Sequence, residues 1–369
     1  METLAAVIRE PAGPFTIETV KVAPPQAGEI LVAVKAVGIC HTDLVIGSGM
    51  LGLTFPAVLG HEGAGIVEMV GDGVTAVQPG DKVLLSFNSC GHCARCEQGN
   101  PAYCFEFFPR NMSCARHDGS SRLADTDGHA ISDNCFGQSS FAGFATATER
   151  NIVKLPADAD LAILAPLGCG VQTGVGAVLR SLKAKAGEAL LVVGGGGVGL
   201  SAVMGGVIAG CSPIILIEPQ ASRRAIASEL GATHVIDPAT AGDIAEAVRA
   251  IVPTGVDLIV DTSGHMPTVD AMPNMISTMG RIGLIGVPAA MDATMSLAMI
   301  PWITGGGTVR GIVEGDSDIS GFLPELIAYH AEGRLPLERF VTTYPFAQIN
   351  DAIADAHHGK CIKPVLVLD

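Results

Sequence analysis

Charge is scarce in this chain. Of its 369 residues, 16% are charged, with 22 basic against 37 acidic side chains and a net charge of −15. A nucleic-acid surface needs a basic footprint, so the balance excludes nucleic acid as a partner, and an anionic membrane surface with it. A secretory start is lacking too: Met1-Glu2-Thr3 does not open a basic segment followed by an apolar run. No signal peptide is expected, and a cytoplasmic setting is. The one long uncharged run, 29 residues from Ala189 to Ile217, is interrupted by Gly194 to Gly197 and again by Ser212-Pro213. Two buried strands around a helix explain it better than a membrane span. Internal repeats and low-complexity segments are absent as well.

What is present is an apolar, glycine-rich composition, 48% hydrophobic with 46 glycines, long enough for a large core and two domains. Residues 1 to about 150 read as short strands between turns. Glu29 to Val37, Ala64 to Val70 and Lys82 to Phe87 are the clearest, and they suggest a barrel-like β domain. Residues 105 to 140 show no periodicity and read as a long polar excursion. From Ala189 onward strands and helices alternate, through Val256 to Val260 and Arg281 to Ile285, which implies a doubly wound parallel sheet. After about Val313 the alternation stops. Two helices and a final strand, Pro364 to Leu368, are expected to return to the first domain.

Within the second region Gly194, Gly196 and Gly199 fit G-x-G-x-x-G, directly after a strand and at the start of a helix with Gly197 and Val198. The first glycine makes the turn, the second admits a pyrophosphate, and the third lets helix pack on strand. Glu218 ends the next strand, about 20 residues on, where a carboxylate holds both hydroxyls of an adenosine ribose. It would repel a 2′-phosphate, so NAD is favoured over NADP. Arg223 and Arg224 follow closely and weaken that preference, and Arg223 is counted with the cofactor site.

There are ten cysteines. Without a signal they are expected as thiols and metal ligands rather than disulfides. Cys90, Cys93, Cys96 and Cys104 put four thiolates in one loop, which suits a closed tetrahedral zinc site. His92 lies inside the loop but is not needed as a ligand, and Cys114 and Cys135 read as ordinary thiols. Gly60-His61-Glu62-Gly63 fits a metal ligand, an acid–base pair or a tight turn. Cys40, His61 and Cys169 would form an open zinc centre if they met in space, which the sequence does not show.

The whole chain resembles the zinc-dependent medium-chain alcohol dehydrogenases, through Cys40-His41-Thr42-Asp43, Gly60-His61-Glu62, the four-cysteine loop, Gly168-Cys169-Gly170 and the Gly194 to Gly199 fingerprint. Several stretches look like the bacterial aryl and allylic alcohol dehydrogenases: Ser86-Phe87-Asn88-Ser89, Phe136-Gly137-Gln138-Ser139-Ser140-Phe141, Ile217-Glu218-Pro219, Glu314-Gly315-Asp316 and Ile362-Lys363-Pro364. The resemblance implies an α/β protein. A GroES-like, mostly-β catalytic domain spans 1–170 and 313–369, and a Rossmann domain of doubly wound parallel sheet spans 171–312. It implies two zincs per chain and NAD, a small alcohol or aldehyde as substrate, and a homodimer. Cys40, His61 and Cys169 would hold the catalytic zinc, and Thr42 would bridge substrate to ribose. Asp43 would orient His61, and Glu62 would sit beside the metal. His41 and Lys363 would face the pyrophosphate, and Phe141 would wall the substrate pocket. With aromatics at only 4%, Leu, Met and Val would supply the rest of that wall. Position 45 is Val where many members carry a relay histidine, so the outer proton route uses water, the ribose and His41, or is absent. The expected reaction is oxidation of benzyl-, perillyl- or geranyl-type alcohols to aldehydes. The alternatives are a zinc dehydrogenase of short-chain alcohols or polyols, and a non-catalytic NAD-binding protein. A zinc-free quinone reductase would not need Cys40, His61 or the four-cysteine loop.

Overall fold

The computed structural model describes residues 1–116 and 118–368. It divides into two compact units. The first comprises Met1–Cys169, Asp318–Ala331 and Phe340–Asp369, and the second Gly170–Ser317 and Glu332–Arg339. Residues 313–317 and 332–339 therefore pack with the second unit, where the sequence suggested the first. The amphipathic helix Ile319–Ala331 and the strand Lys363–Val367 do return to the first.

The first unit is built on two sheets. Its larger sheet is centred on Glu29–Gly38, a ten-residue strand rich in β-branched residues. That strand pairs antiparallel with Glu62–Val70, Phe144–Thr148 and Lys363–Val367. Such residues pack well on a pleated, half-buried surface. The smaller sheet holds Glu2–Ile8, Phe15–Val22 and Ala57–Val58, and also Leu123–Ala124 and Ala130–Ile131. The stretch 105–140 is thus not a free excursion, since its middle adds two short strands to a sheet. Its cysteines differ from expectation as well. Cys114 and Cys135, both buried, are joined in a disulfide across the loop that holds the Leu123–Ala124 and Ala130–Ile131 hairpin.

The second unit carries one parallel sheet of six strands, in the spatial order His234–Ile236, Ile214–Ile217, Leu190–Val193, Val256–Asp261, Ile276–Leu284 and Thr308–Gly311. Its first strand in sequence lies in the middle and the order reverses there, the arrangement of a doubly wound dinucleotide-binding sheet. Leu191, Val193, Ile215, Ile259 and Ile282 form a continuous core with Val248, Met272 and Met275. The uncharged run from Ala189 becomes strand, helix Gly197–Ala209 and strand. Among the described residues no single helix is long and apolar enough to cross a membrane.

Candidate metal centres and dinucleotide site

Cys40 ends the stretch that follows strand Glu29–Gly38, and the short helix His41–Gly47 starts on it. The fully buried carboxylate of Asp43, one turn in, serves two ends. Oδ2 accepts from the Cys40 backbone N–H at 3.1 Å, closing the helix start. Oδ1 lies 2.7 Å from His61 Nδ1 and also accepts from Gly60 N–H at 3.0 Å. A carboxylate on Nδ1 fixes the tautomer with its proton there and leaves the Nε2 lone pair free to bind. Nε2 is buried and has no hydrogen-bond partner.

That orphaned nitrogen belongs to a cluster. One ligand atom each of Cys40, His61, Glu62 and Cys169 lies within 4.8 Å of the others. Gly60 adopts a φ of +92°, and a Cβ there would stand 2.5 Å from Phe141 Cδ1, so only glycine lets the His61 turn sit this deep. Cys169 is placed by Gly168, whose carbonyl accepts from Ser86 Oγ at 2.6 Å. Hydrogen bonding to Cys169 holds the Cys40 thiol well below its ordinary pKa, and the His61 charge adds to this against burial. Burial pulls the His61 pKa down, but Asp43 and Cys40 outweigh it and hold it well above the usual imidazole value, so a cation bound at Nε2 would displace a proton from it. A buried pocket of thiolate sulfur with an unused imidazole nitrogen is a donor set suited to a soft or borderline cation. Glu62 is paired as well. Lys363 Nζ lies 2.7 Å from Oε1 and 2.5 Å from Oε2, and donates to the Ile39 carbonyl at 3.1 Å.

The four-cysteine loop is self-contained. Its sulfurs stand 3.9 Å (Cys90 to Cys96), 3.6 Å (Cys93 to Cys96) and 3.9 Å (Cys93 to Cys104) apart. Four sulfurs ~2.3 Å from a common centre have tetrahedral edges of about 3.8 Å, so the loop already has the dimensions of a zinc–thiolate cage. Backbone N–H groups of Cys90 and Glu106 point at the Cys104 sulfur, at 3.3 and 3.4 Å. Backbone hydrogen bonds at Cys96 and Phe105 lower the Cys93 pKa to about 6, which favours a ready thiolate. His92 is exposed, with Nδ1 on the Cys90 carbonyl at 2.9 Å, and stays outside the sulfur set.

In the second unit Gly194 has a φ of +93° and its N–H donates to the Ile217 carbonyl at 2.9 Å. A Cβ on Gly199 would strike the Gly194 carbonyl, whereas one on Gly196, at the helix start, would meet nothing. The loop is therefore tight where helix meets strand and open where a phosphate would approach. Glu218 is buried at the end of the neighbouring strand. Its carboxylate accepts from Gly195 N–H at 2.6 Å and Gln220 N–H at 2.8 Å. Arg223 places its Cβ beside Gly195. Arg224 turns elsewhere, donating to the Glu218 and Pro219 carbonyls and pairing with Asp237 at 2.9 Å.

The family follows from comparison. Residues 26–157 match the model of the alcohol dehydrogenase GroES-like domain, and 197–328 that of zinc-binding dehydrogenases. A geraniol dehydrogenase of Castellaniella defragrans is 42% identical over 363 residues, covering 98% of this chain and 97% of its own. The chain belongs to the zinc-binding alcohol dehydrogenases. Two solved structures agree across the full length. Benzyl alcohol dehydrogenase from Acinetobacter calcoaceticus is 38% identical with a TM-score of 0.96, covering 100% of both chains. An alcohol dehydrogenase zinc-binding domain protein from Burkholderia ambifaria is 42% identical with a TM-score of 0.97, covering 100% of this chain and 99% of its own. This dehydrogenase thus has a GroES-like and a Rossmann-like part, and its cofactors are zinc and a nicotinamide dinucleotide.

Not every expected site residue sits where sequence placed it. Cys40, Asp43, His61, Glu62, Cys169 and Lys363 are brought together. Thr42 is half-buried, its Oγ1 3.7 Å from the Cys40 sulfur. His41 is exposed at the helix start. Lys363 spends its ammonium on Glu62 rather than presenting it to a phosphate. Phe141 is wholly buried, edge-on to Phe15 at 5.7 Å, and its ring backs the Gly60 turn. Two contributors were missed. Gln138 donates to the His61 and Ser86 carbonyls and accepts from Gly63 N–H and Ser140 Oγ, using all its capacity on the His61 turn. Phe136 lies flat on the imidazole. Their only trace in sequence is the polar run Gln138-Ser139-Ser140 between two phenylalanines.

Proposed function

We propose that this enzyme oxidises primary aromatic or terpenoid allylic alcohols, of benzyl, perillyl or geranyl type, reversibly to aldehydes with NAD. The observation that carries the cofactor choice is Glu218, whose buried carboxylate closes on the glycine loop while Arg224 is committed to Asp237. A 2′-phosphate would meet an anion there. The substrate class rests on similarity to the geraniol and benzyl alcohol dehydrogenases.

Cys40, His61 and Cys169 would hold the catalytic zinc, and Cys90, Cys93, Cys96 and Cys104 the second. Bound at the first site, zinc supplies Lewis acidity that makes an alcohol hydroxyl a stronger acid near neutral pH. The protein arranges the charges for this. Lys363 neutralises Glu62, so the two thiolates alone balance a dication. Asp43 keeps the proton on His61 Nδ1 and Nε2 free. Thr42 Oγ1, half-buried beside Cys40, would accept the alcohol proton while handing its own on to the cofactor ribose or to water. Val45 cannot pass it on, so it leaves through water or the exposed His41. NAD held at Gly194 to Gly199 and Glu218 would supply the hydride acceptor for the carbinol carbon, with one proton released for each alcohol oxidised.

The second unit favours a homodimer. Thr308–Gly311 is the last strand in the described order of its parallel sheet, and the adjoining helix Met299–Gly305 exposes Met299, Ile300 and Ile303. An exposed apolar helix face of this kind is a surface for a second copy. Initial rates on a panel of alcohols, with NAD and with NADP, test the reading, and sedimentation gives the mass. Benzyl, perillyl and geranyl alcohols should show the highest kcat/KM, with NAD preferred by about tenfold or more, on a particle of two chains. A higher kcat/KM for ethanol or sorbitol would overturn the substrate class, and a monomer the assembly.

A further inference from the structure

The side chain covering one face of His61 has no part in the reading above. The Phe136 ring lies nearly parallel to the imidazole, with centroids 4.3 Å apart and planes at 19°. Its backbone is left-handed, φ +54°, an outlier for a bulky residue. Asn134, Gly137 and Ser139 share that region, with φ of +73°, +69° and +51°. Such a run persists only where its surroundings over-determine it, and strain of this kind gathers at functional sites.

The surroundings do over-determine it. Cys135, next to Phe136, is bonded to Cys114, and both are buried. Asn151 Nδ2 lies 3.4 Å from the carbonyls of Phe136 and Gly137. Ser139 Oγ accepts from Cys135 N–H and donates to the Val58 carbonyl, at 2.9 and 2.6 Å. Behind the ring, Phe107 meets Phe136 edge-on at 6.5 Å and leans on Phe87 at 6.0 Å.

Asp43 alone does not fix His61. A hydrogen bond at Nδ1 sets the direction of the ring but leaves it a tilt about the Nδ1–Oδ1 line. A flat apolar surface on one face removes that freedom. We infer that Phe136 is a positioning residue: it clamps the His61 plane so that Nε2 stays on the Cys40 and Cys169 sulfurs. The disulfide-pinned segment 134–139 holds the clamp. This rests on His61 being a ligand of the catalytic metal.

The test uses the full-length enzyme with Co(II) in the catalytic site, comparing Phe136→Met and Phe136→Tyr. The methionine variant should shift the visible Co(II) absorption and lose the ion to a chelator about tenfold faster, as for other supports of metal ligands. Its kcat should fall more than its KM changes. The tyrosine variant, keeping the ring, should restore spectrum and loss rate. Cys114→Ser with Cys135→Ser should move both readouts the same way, by less. A wild-type spectrum and loss rate in Phe136→Met would overturn the clamp, as would a tyrosine variant no better than methionine. Melting of the metal-free proteins reports folding. Should Phe136→Met fail to fold, unchanged readouts in the double cysteine variant refute the assignment. Wild-type Co(II) binding in Cys169→Ala would instead remove the ligand assignment on which the clamp rests.

Discussion

The two candidate metal centres of the first unit are built in opposite ways. The four-cysteine site draws all its donors from residues 90 to 104. The chain folds back at Gly91 and Gly99, with φ of +81° and +75°, and local N–H groups face the sulfurs. Closing so short a loop costs little entropy, and only Cys104 of the four is buried. The other candidate centre would join Cys40, His61 and Cys169, separated by 21 and 108 residues in sequence. It is buried, and each donor is held by a neighbour: Asp43 at the His61 nitrogen, Gln138 at its backbone and Ser86 at the Gly168 carbonyl. The first site carries its own geometry, whereas the second borrows it from the fold. Damage to the first should appear as lost stability, and damage to the second as lost chemistry.

The sharpest break of that contrast is Cys169→Ala. Lewis-acid assistance is worth several kcal/mol, and about 1.4 kcal/mol is tenfold in rate. Turnover should fall on the order of a thousandfold or more. NADH binding, measured by fluorescence titration, should stay nearly intact, since Gly194 to Gly199 and Glu218 belong to the other unit. Metal analysis should find one zinc per chain. Retained turnover would remove Cys169 from the ligand set.

The same contrast explains what was legible in the sequence. The parallel sheet announced itself, because strands such as Leu190–Val193 and Ile214–Ile217 are uninterrupted apolar runs between helices. The thiolate loop was legible from spacing alone. Cys40, His61 and Cys169 were not, because nothing local relates residues so far apart, and resemblance to a family had to join them. Resemblance in turn named Phe141 for a pocket wall, and the structure places its ring behind the Gly60 turn. It carried Lys363 to a phosphate, although its ammonium answers the buried Glu62. The pairing of Cys114 with Cys135 joins two loop positions inside a stretch with no periodicity to read.

A gentler intervention is Asp43→Asn. The amide fits the same space but loses the negative charge and presents either an oxygen or an NH2 to His61 Nδ1. Supports of metal-ligating histidines typically matter by 10- to 100-fold. Turnover should drop within that range, and the catalytic metal should leave faster to a chelator. The second zinc should be retained, since Asp43 touches none of the four cysteines. Equal loss of both metals would show that the two centres are not independent.

Cys93→Ser should have the smallest effect on chemistry. The variant leaves three sulfurs where four made the cage, and the alcohol-bearing side chain is a poor replacement for a thiolate ligand. Metal binding at such sites is part of the folding free energy, so the loss should be felt by the fold. A deficit of several kcal/mol corresponds to a melting temperature lower by about 5–10 °C. The Asp43–His61 pair and the Cys40 N–H bond to Asp43 are made by residues outside that loop. Molecules that remain folded should therefore keep kcat within about threefold, when rates are normalised to catalytic zinc. A kcat as low as that of Cys169→Ala, with unchanged melting, would mean that the exposed loop serves the reaction directly, and the division between a self-contained site and a borrowed one would fail.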